Sequence, residues 1–289
     1  MKNIILTGSS SGFGLDAVKV LASKGHTVFA TMRNINNSNA NTAAEIKKWA
    51  LANNAKVEIV ELDVTSNDSV KKAIAEISRQ TGGKIDVLIN NAGVSFMGLG
   101  ETLSIDQTEY MYQVNTIGPE RVMKSVLPFM HKIKEGLVIN ITSVQSRNFM
   151  PVFSTYNGTK AALDAVSVGY YYELKPSGID VVTIQPGGYP TTDIVSKSIK
   201  AKNIEVEKNY HKDILKFKAS LYAVFEPRED SGNPKEVADA MLALVEMPNG
   251  SRPIWTVVGG GLMSDSVQQI NEQVKSLAEG SYSYFSANY

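Results

Sequence analysis

The sequence predicts an α/β fold, a single-domain Rossmann fold with a doubly wound, seven-stranded parallel sheet, helices on both faces and a C-terminal helical extension. Three observations predict it. Short β-rich runs alternate with longer helical patterns along the chain, the rhythm of βαβ units. Runs such as "DVLIN" (86–90) and "LVINI" (137–141) are nearly all apolar, as strands covered on both faces should be. A glycine-rich segment, "TGSSSGFG" (7–14), joins the first strand to the first helix.

In order, the expected strands are 3–7, 27–31, 56–60, 85–89, 137–141, 179–184 and 253–257. The expected helices are 12–23, 41–53, 66–80, 106–130, 155–174, 234–245 and a terminal one over 264–278. The opening run "NIILT" is a buried strand that stops at glycine, too short for a secretory signal. The Asn-rich stretch "NINNSNANT" (34–42) reads as a loop. No repeat or linker divides the chain, so residues 1–289 form one domain. An irregular segment of the length of 187–232 inside a domain is usually a lid or binding loop. Residues 262–289 extend the fold beyond its last strand, and the tail "SYSYFSANY" packs on a neighbour, closes a pocket or frays.

Composition narrows the function. Lys plus Arg and Asp plus Glu both total 29 in 289 residues, so the formal charge is zero and the basic footprint of a nucleic-acid binder is missing. Hydrophobic residues make up 43% and charged residues 20%, enough for a large core and unlike a disordered chain. The chain has no cysteine, which excludes disulfides and thiolate metal sites, and its three histidines are scattered, so no metal is expected. No apolar run approaches the ~18 residues of a membrane span. These features fit a cytoplasmic protein whose partner is a small molecule.

Several constellations carry chemistry. Gly8, Gly12 and Gly14 sit between the first strand and helix, where glycine lets backbone approach a pyrophosphate at a helix N-terminus. Their spacing differs from G-x-G-x-x-G. In "STYNGTK" (154–160), Tyr156 and Lys160 are four apart and share one helical face. "LDV" (62–64) ends the third strand, "NNAG" (90–93) the fourth, "NITS" (140–143) the fifth, and "PGGYPT" (186–191) follows the sixth. Each alone also reads as a turn, a strand end or a surface residue. Pro119 has no N–H for the Asn115 carbonyl, which predicts a kink there and a carbonyl free to hold water.

In this order the motifs resemble the short-chain dehydrogenase/reductase superfamily, through T-G-x-x-x-G-x-G and Y-x-x-x-K, by motif over about residues 3 to 192 and by architecture to about 258. The resemblance implies a catalytic set of Asn115, Ser143, Tyr156 and Lys160. It also implies cofactor contacts at Thr7, Gly8, Ser10, Gly12, Phe13, Gly14, Asp63, Val64, Asn91, Ala92, Gly93, Tyr156, Lys160, Pro186, Gly187 and Thr191. The reaction implied is hydride transfer between a nicotinamide and a carbonyl or alcohol, as in carbonyl reductases and hydroxysteroid dehydrogenase-like relatives. A homodimer or homotetramer is implied too, built on the helices carrying Asn115 and Tyr156.

NADP(H) is the expected cofactor, because "FATMRN" ends the second strand with Arg33 and no acid. A guanidinium matches a 2′-phosphate, and Ser10 is placed to assist. A tyrosine of pKa ~10 is poorly matched to neutral acid–base work, so Lys160 is expected to lower it. Ser143 would polarise the substrate oxygen. Ser154 or Thr155 is expected to cap the Tyr156 helix, and the small residues Asn157, Gly158 and Thr159 to let the cofactor lie close. Met97, Val144, Phe149, Phe153, Tyr189, Tyr222 and Phe225 suggest an apolar substrate pocket. Two rivals stand beside this reading: a sugar-nucleotide epimerase/dehydratase, whose glycine loop and longer chain do not match, and a non-catalytic NADP-binding sensor or scaffold.

Overall fold

Seven strands pair in parallel in the order β3-β2-β1-β4-β5-β6-β7: β1 Asn3–Thr7, β2 Thr27–Met32, β3 Val57–Glu61, β4 Val87–Asn90, β5 Gly136–Ile141, β6 Ile179–Pro186 and β7 Trp255–Val258. The computed structural model describes residues 1–192, 197–226, 228, 231–259 and 261–288, with the side chains of 262, 287 and 288 excepted. β5 and β6 are buried at every position, which is why their sequences run apolar instead of alternating. Two apolar layers flank the sheet. One packs α1 (Gly12–Ser23), α2 (Ala40–Ala52) and α8 (Lys235–Glu246) around Ile4, Leu6, Ile139 and Ile184. The other packs α3 (Asn67–Thr81), α5 (Gly118–Ile133) and α6 (Ser154–Leu174) around Ile5, Leu88, Val138 and Val181. Strand order reverses between β1 and β4, the crevice where ligands bind in such sheets.

α2 begins at Ala40, one residue before its expected start, and residues 34–39 of the Asn-rich stretch are loop. Three expectations are corrected. The helix expected over 106–130 is three pieces, α4 (Ile105–Tyr112), a π turn over Gln113–Ile117 and α5. The π turn stands where a kink was expected: the Gly118 N–H bonds the Gln113 carbonyl, and a Cβ on Gly118 would lie 2.9 Å from Val64 Cγ2. The segment expected to be irregular, 187–232, whose residues 193–196, 227 and 229–230 lie outside the described ones, contains a helix, α7 (Lys212–Val224), which packs Ile214, Leu215 and Leu221 onto a third apolar cluster. The terminal helix, α9 (Leu262–Asn288), takes in the tail up to Asn288, and its Tyr282 stacks on Tyr172 of α6 at 5.8 Å. No helix among the described residues is long and apolar enough to cross a membrane.

Candidate active site

At the carboxyl ends of the strands lies a cavity of about 810 Å³ that runs from Arg33 and Asp63, past the glycine turn, to Ser143 and Tyr156. The glycine turn forms one wall. Gly8 has φ +70, and a Cβ there would sit 2.7 Å from Ala92 Cα. Gly12 has φ +54 and faces open space. At Gly14 a Cβ would fall 2.3 Å from the Gly8 carbonyl, so the turn closes only on glycine. No side chain caps the start of α1 at Ser11, which leaves the helix N-terminus to an anion.

Thr7 and Asn91 join β1 to β4 beneath this turn. The Thr7 hydroxyl accepts from the Asn91 and Ala92 N–H groups, both at 3.0 Å, and Asn91 Nδ2 donates to the Thr7 and Gly8 carbonyls. Gly8, Ser10, Gly12, Phe13, Asn91, Ala92 and Gly93 line the cavity, as do Asp63, Val64, Pro186 and Gly187. Asp63 Oδ1 accepts from the Thr65 N–H and hydroxyl at 2.9 and 2.7 Å. The Arg33 guanidinium reaches the cavity rim and donates to the Tyr110 hydroxyl at 3.1 Å. The residues present therefore fit a dinucleotide: a bare helix N-terminus at the centre, a carboxylate and a guanidinium at one end, and a buried tyrosine at the other.

Tyr156, Lys160 and Ser143 converge at that far end, all buried. Ser143 stands beside the Tyr156 hydroxyl and favours its ionised form, while its own hydroxyl lies 3.5 Å from the Pro186 carbonyl and accepts from the Gln145 N–H at 3.1 Å. Lys160 Nζ donates to the Ile141 carbonyl at 2.9 Å and lies 5.8 Å from the Tyr156 ring. The expected lowering of Tyr156 is not what the protein's own groups produce. Burial pushes this phenol up to about 12, opposed only by neighbouring Ser143. Burial also brings Lys160 down to about 8. In both cases an apolar surround disfavours the charged form.

Other expected residues stand elsewhere. Asn115 is buried off the cavity, and its side chain accepts from the Val94 N–H at 2.8 Å and donates to the Val94 carbonyl and Thr159 hydroxyl. It therefore braces the chain after β4, with both ends of the amide engaged. Thr7 and Gly14 shape the turn from below, as described. Thr191 is exposed; its neighbour Thr192 lines the cavity, with its N–H and hydroxyl folded back onto the Tyr189 carbonyl. Of the apolar set, Met97, Val144, Phe153, Tyr189 and Phe225 line the cavity. Phe149 is instead exposed, and Tyr222 turns its hydroxyl to the Met97 carbonyl at 2.5 Å. Neither Ser154 nor Thr155 caps α6, which starts after Phe153 without a side-chain cap. Gly158 makes room for the Tyr112 hydroxyl, which would lie 2.6 Å from a Cβ, and Thr159 holds Asn115, so these small residues serve helix packing.

Met150, Leu221, Val224 and Met263 also line the cavity, and they carry no motif by which the sequence could have pointed to them. Their apolar character is common to core and pocket alike. Only the folding of α7, α9 and the segment before α6 onto the site separates the two.

The family model for short chain dehydrogenases matches residues 2–203. An uncharacterized oxidoreductase of Bacillus subtilis, YusZ, is 32% identical over 249 residues, covering 84% of each chain. The 3-ketodihydrosphingosine reductase of Bacteroides thetaiotaomicron is 29% identical over 256 residues, 89% of this chain and 87% of its own. A short chain dehydrogenase/reductase from Burkholderia phymatum, solved in complex with NAD, superposes with a TM-score of 0.76 at 20% identity, covering 96% of this chain and 95% of that one.

Proposed function

Because the chain belongs to the short chain dehydrogenase family, we propose that it is an NADP(H)-dependent oxidoreductase interconverting a carbonyl and an alcohol, with Tyr156 as general acid and base. The observation that carries this reading is the buried group of Tyr156, Ser143 and Lys160 at the end of a cavity continuous with the glycine turn. When bound, the nicotinamide supplies or accepts the hydride.

The protein's part is placement and the proton. In this reading Gly8 to Phe13 hold the pyrophosphate, Asp63 and Val64 the adenine, and Lys160 the nicotinamide ribose. Arg33 with Ser10 holds a 2′-phosphate, the feature that favours NADP over NAD; that a similar fold is known with NAD leaves this choice to Arg33. Ser143 polarises the substrate oxygen through its hydroxyl. With Tyr156 held at about 12, the phenol is protonated at neutral pH, the state that donates to a carbonyl oxygen during reduction. With Lys160 held at about 8, its ammonium stays mostly charged at neutral pH. It is thus the cation beside the phenolate left after donation. Met97, Val144, Met150, Phe153, Leu221 and Phe225 make the substrate end apolar, which favours a hydrophobic ketone or aldehyde.

The test follows NADPH absorbance across a panel of carbonyls. Wild-type protein is expected to turn over apolar members, and Tyr156→Phe to lose on the order of 10²- to 10⁴-fold in kcat, the span of general acid catalysis. Wild-type protein inert toward the whole panel, or Tyr156→Phe as active as wild type, would refute the proposal.

A further inference from the structure

The face of α6 that carries Tyr156 and Lys160 continues one turn further to Asp164, the third member of an i, i+4, i+8 row. Asp164 is fully buried and its carboxylate is closely bonded. Oδ2 accepts from Arg147 Nη2 at 2.6 Å and from Trp255 Nε1 at 3.0 Å. Oδ1 accepts from Gln185 Nε2 at 3.1 Å, and the Thr142 hydroxyl lies 3.4 Å from it, with the Ile184 carbonyl as an alternative acceptor at 3.2 Å. Arg147 stacks over the Trp255 ring at 5.5 Å. Gln185 also donates to Ser146 Oγ at 2.9 Å and pairs with Asn271 of α9, whose Nδ2 donates back at 2.6 Å. A buried carboxylate with such partners is rigid, because moving any one of them leaves a buried charge short of a hydrogen bond.

We infer that Asp164 is a positioning residue that sets Ser143 against Tyr156. The short segment 141–147 is held at each end and the middle by one helix face. Lys160 takes the Ile141 carbonyl, Asp164 takes Arg147 and lies 3.4 Å from the Thr142 hydroxyl, and Ser143 between them stands beside Tyr156. Asp164 touches neither the cavity nor Tyr156. It acts through the loop, so that Ser143 and Tyr156 are placed by residues of the same helix. Asn271 extends the brace into α9, beyond the segment matched by the family model.

The kinetic arm of the test rests on the function proposed above; a second arm does not. Asp164→Asn keeps shape and removes the charge that Arg147 pairs with. In hydrogen exchange, amides of 142–147 should exchange faster in this variant while those of β1 and α1 do not change. Its kcat should fall about tenfold to a hundredfold, the weight of a hydrogen bond to a charged group. In a Ser143→Ala background the same substitution should cost at most about two- to threefold, because the group it positions is gone. Equal fold-losses in both backgrounds, or unchanged exchange at 142–147, would overturn the assignment. If Asp164→Asn does not fold, Trp255→Phe removes one of the donors and keeps an aromatic side chain, and should give the same exchange pattern at smaller amplitude; unchanged exchange there overturns it equally. A protein that turns over no carbonyl would sink the function reading and leave exchange to decide this one.

Discussion

Lys160 should make the protein less stable at neutral pH than an uncharged residue of its shape would. Its ammonium is buried, and burial brings it from 10.5 down to about 8. Each pKa unit is worth about 1.4 kcal/mol, so the 2.5-unit fall corresponds to roughly 3 kcal/mol. The sign follows from proton counting. Between about 8 and 10.5 the unfolded chain holds the proton and the folded chain does not, so stability contributed by this site rises with pH across that window. Below 8 both states are charged and the full penalty applies. Lys160→Met keeps the apolar stem and removes the charge, although it also strips the Ile141 carbonyl of a donor, an effect of about 1–3 kcal/mol that does not vary with pH. The two proteins, without cofactor, would be unfolded in urea at pH 7, 8, 9 and 10. Wild type is expected to gain on Lys160→Met by up to roughly 3 kcal/mol between pH 7 and 10. Tyr156 does not confuse the comparison, since its own window, 10 to about 12, lies above the assayed range and has the opposite sign. A stability difference flat with pH would refute the argument that burial sets the lysine.

Two further outcomes follow from the glycine turn and its rim. Arg33→Ala should weaken NADPH binding by about 10- to 100-fold, the weight of a charged hydrogen bond, and leave NADH binding nearly unchanged; equal effects on both, measured by fluorescence titration, would remove Arg33 from phosphate recognition. Gly14→Ala should lower Tm and cofactor affinity together, because its Cβ would lie 2.3 Å from the Gly8 carbonyl and 2.5 Å from Asn91 Nδ2, overpacking of about 1–3 kcal/mol; a wild-type Tm by scanning calorimetry would contradict that contact.

Strand positions, the glycine turn and the Tyr156–Lys160 pair were legible because they rest on local rules. A buried parallel strand reads as an apolar run, and i, i+4 spacing fixes a shared face wherever a helix forms. Where the expectations failed, a distant partner had decided. Gly158 is small for the Tyr112 hydroxyl and Thr159 is polar for Asn115, two contacts that no spacing within "STYNGTK" encodes. Phe149 and Met150 are adjacent and equally apolar, yet the first is exposed and the second lines the cavity.

Sequence alone thus determined the doubly wound sheet, the place of the glycine turn and the shared face of α6 that carries Tyr156 and Lys160. Those follow from periodicity, glycine's freedom of φ and helix geometry, all set within a few residues. Tertiary structure decided the electrostatics and the brace. Tyr156 stands high and Lys160 low because the assembled core shuts out water around both. Asp164 gains its meaning from Arg147, Gln185, Trp255 and, through Gln185, Asn271. Those partners come from β6, β7, α9 and the segment after β5, and only the closed fold brings them to one carboxylate.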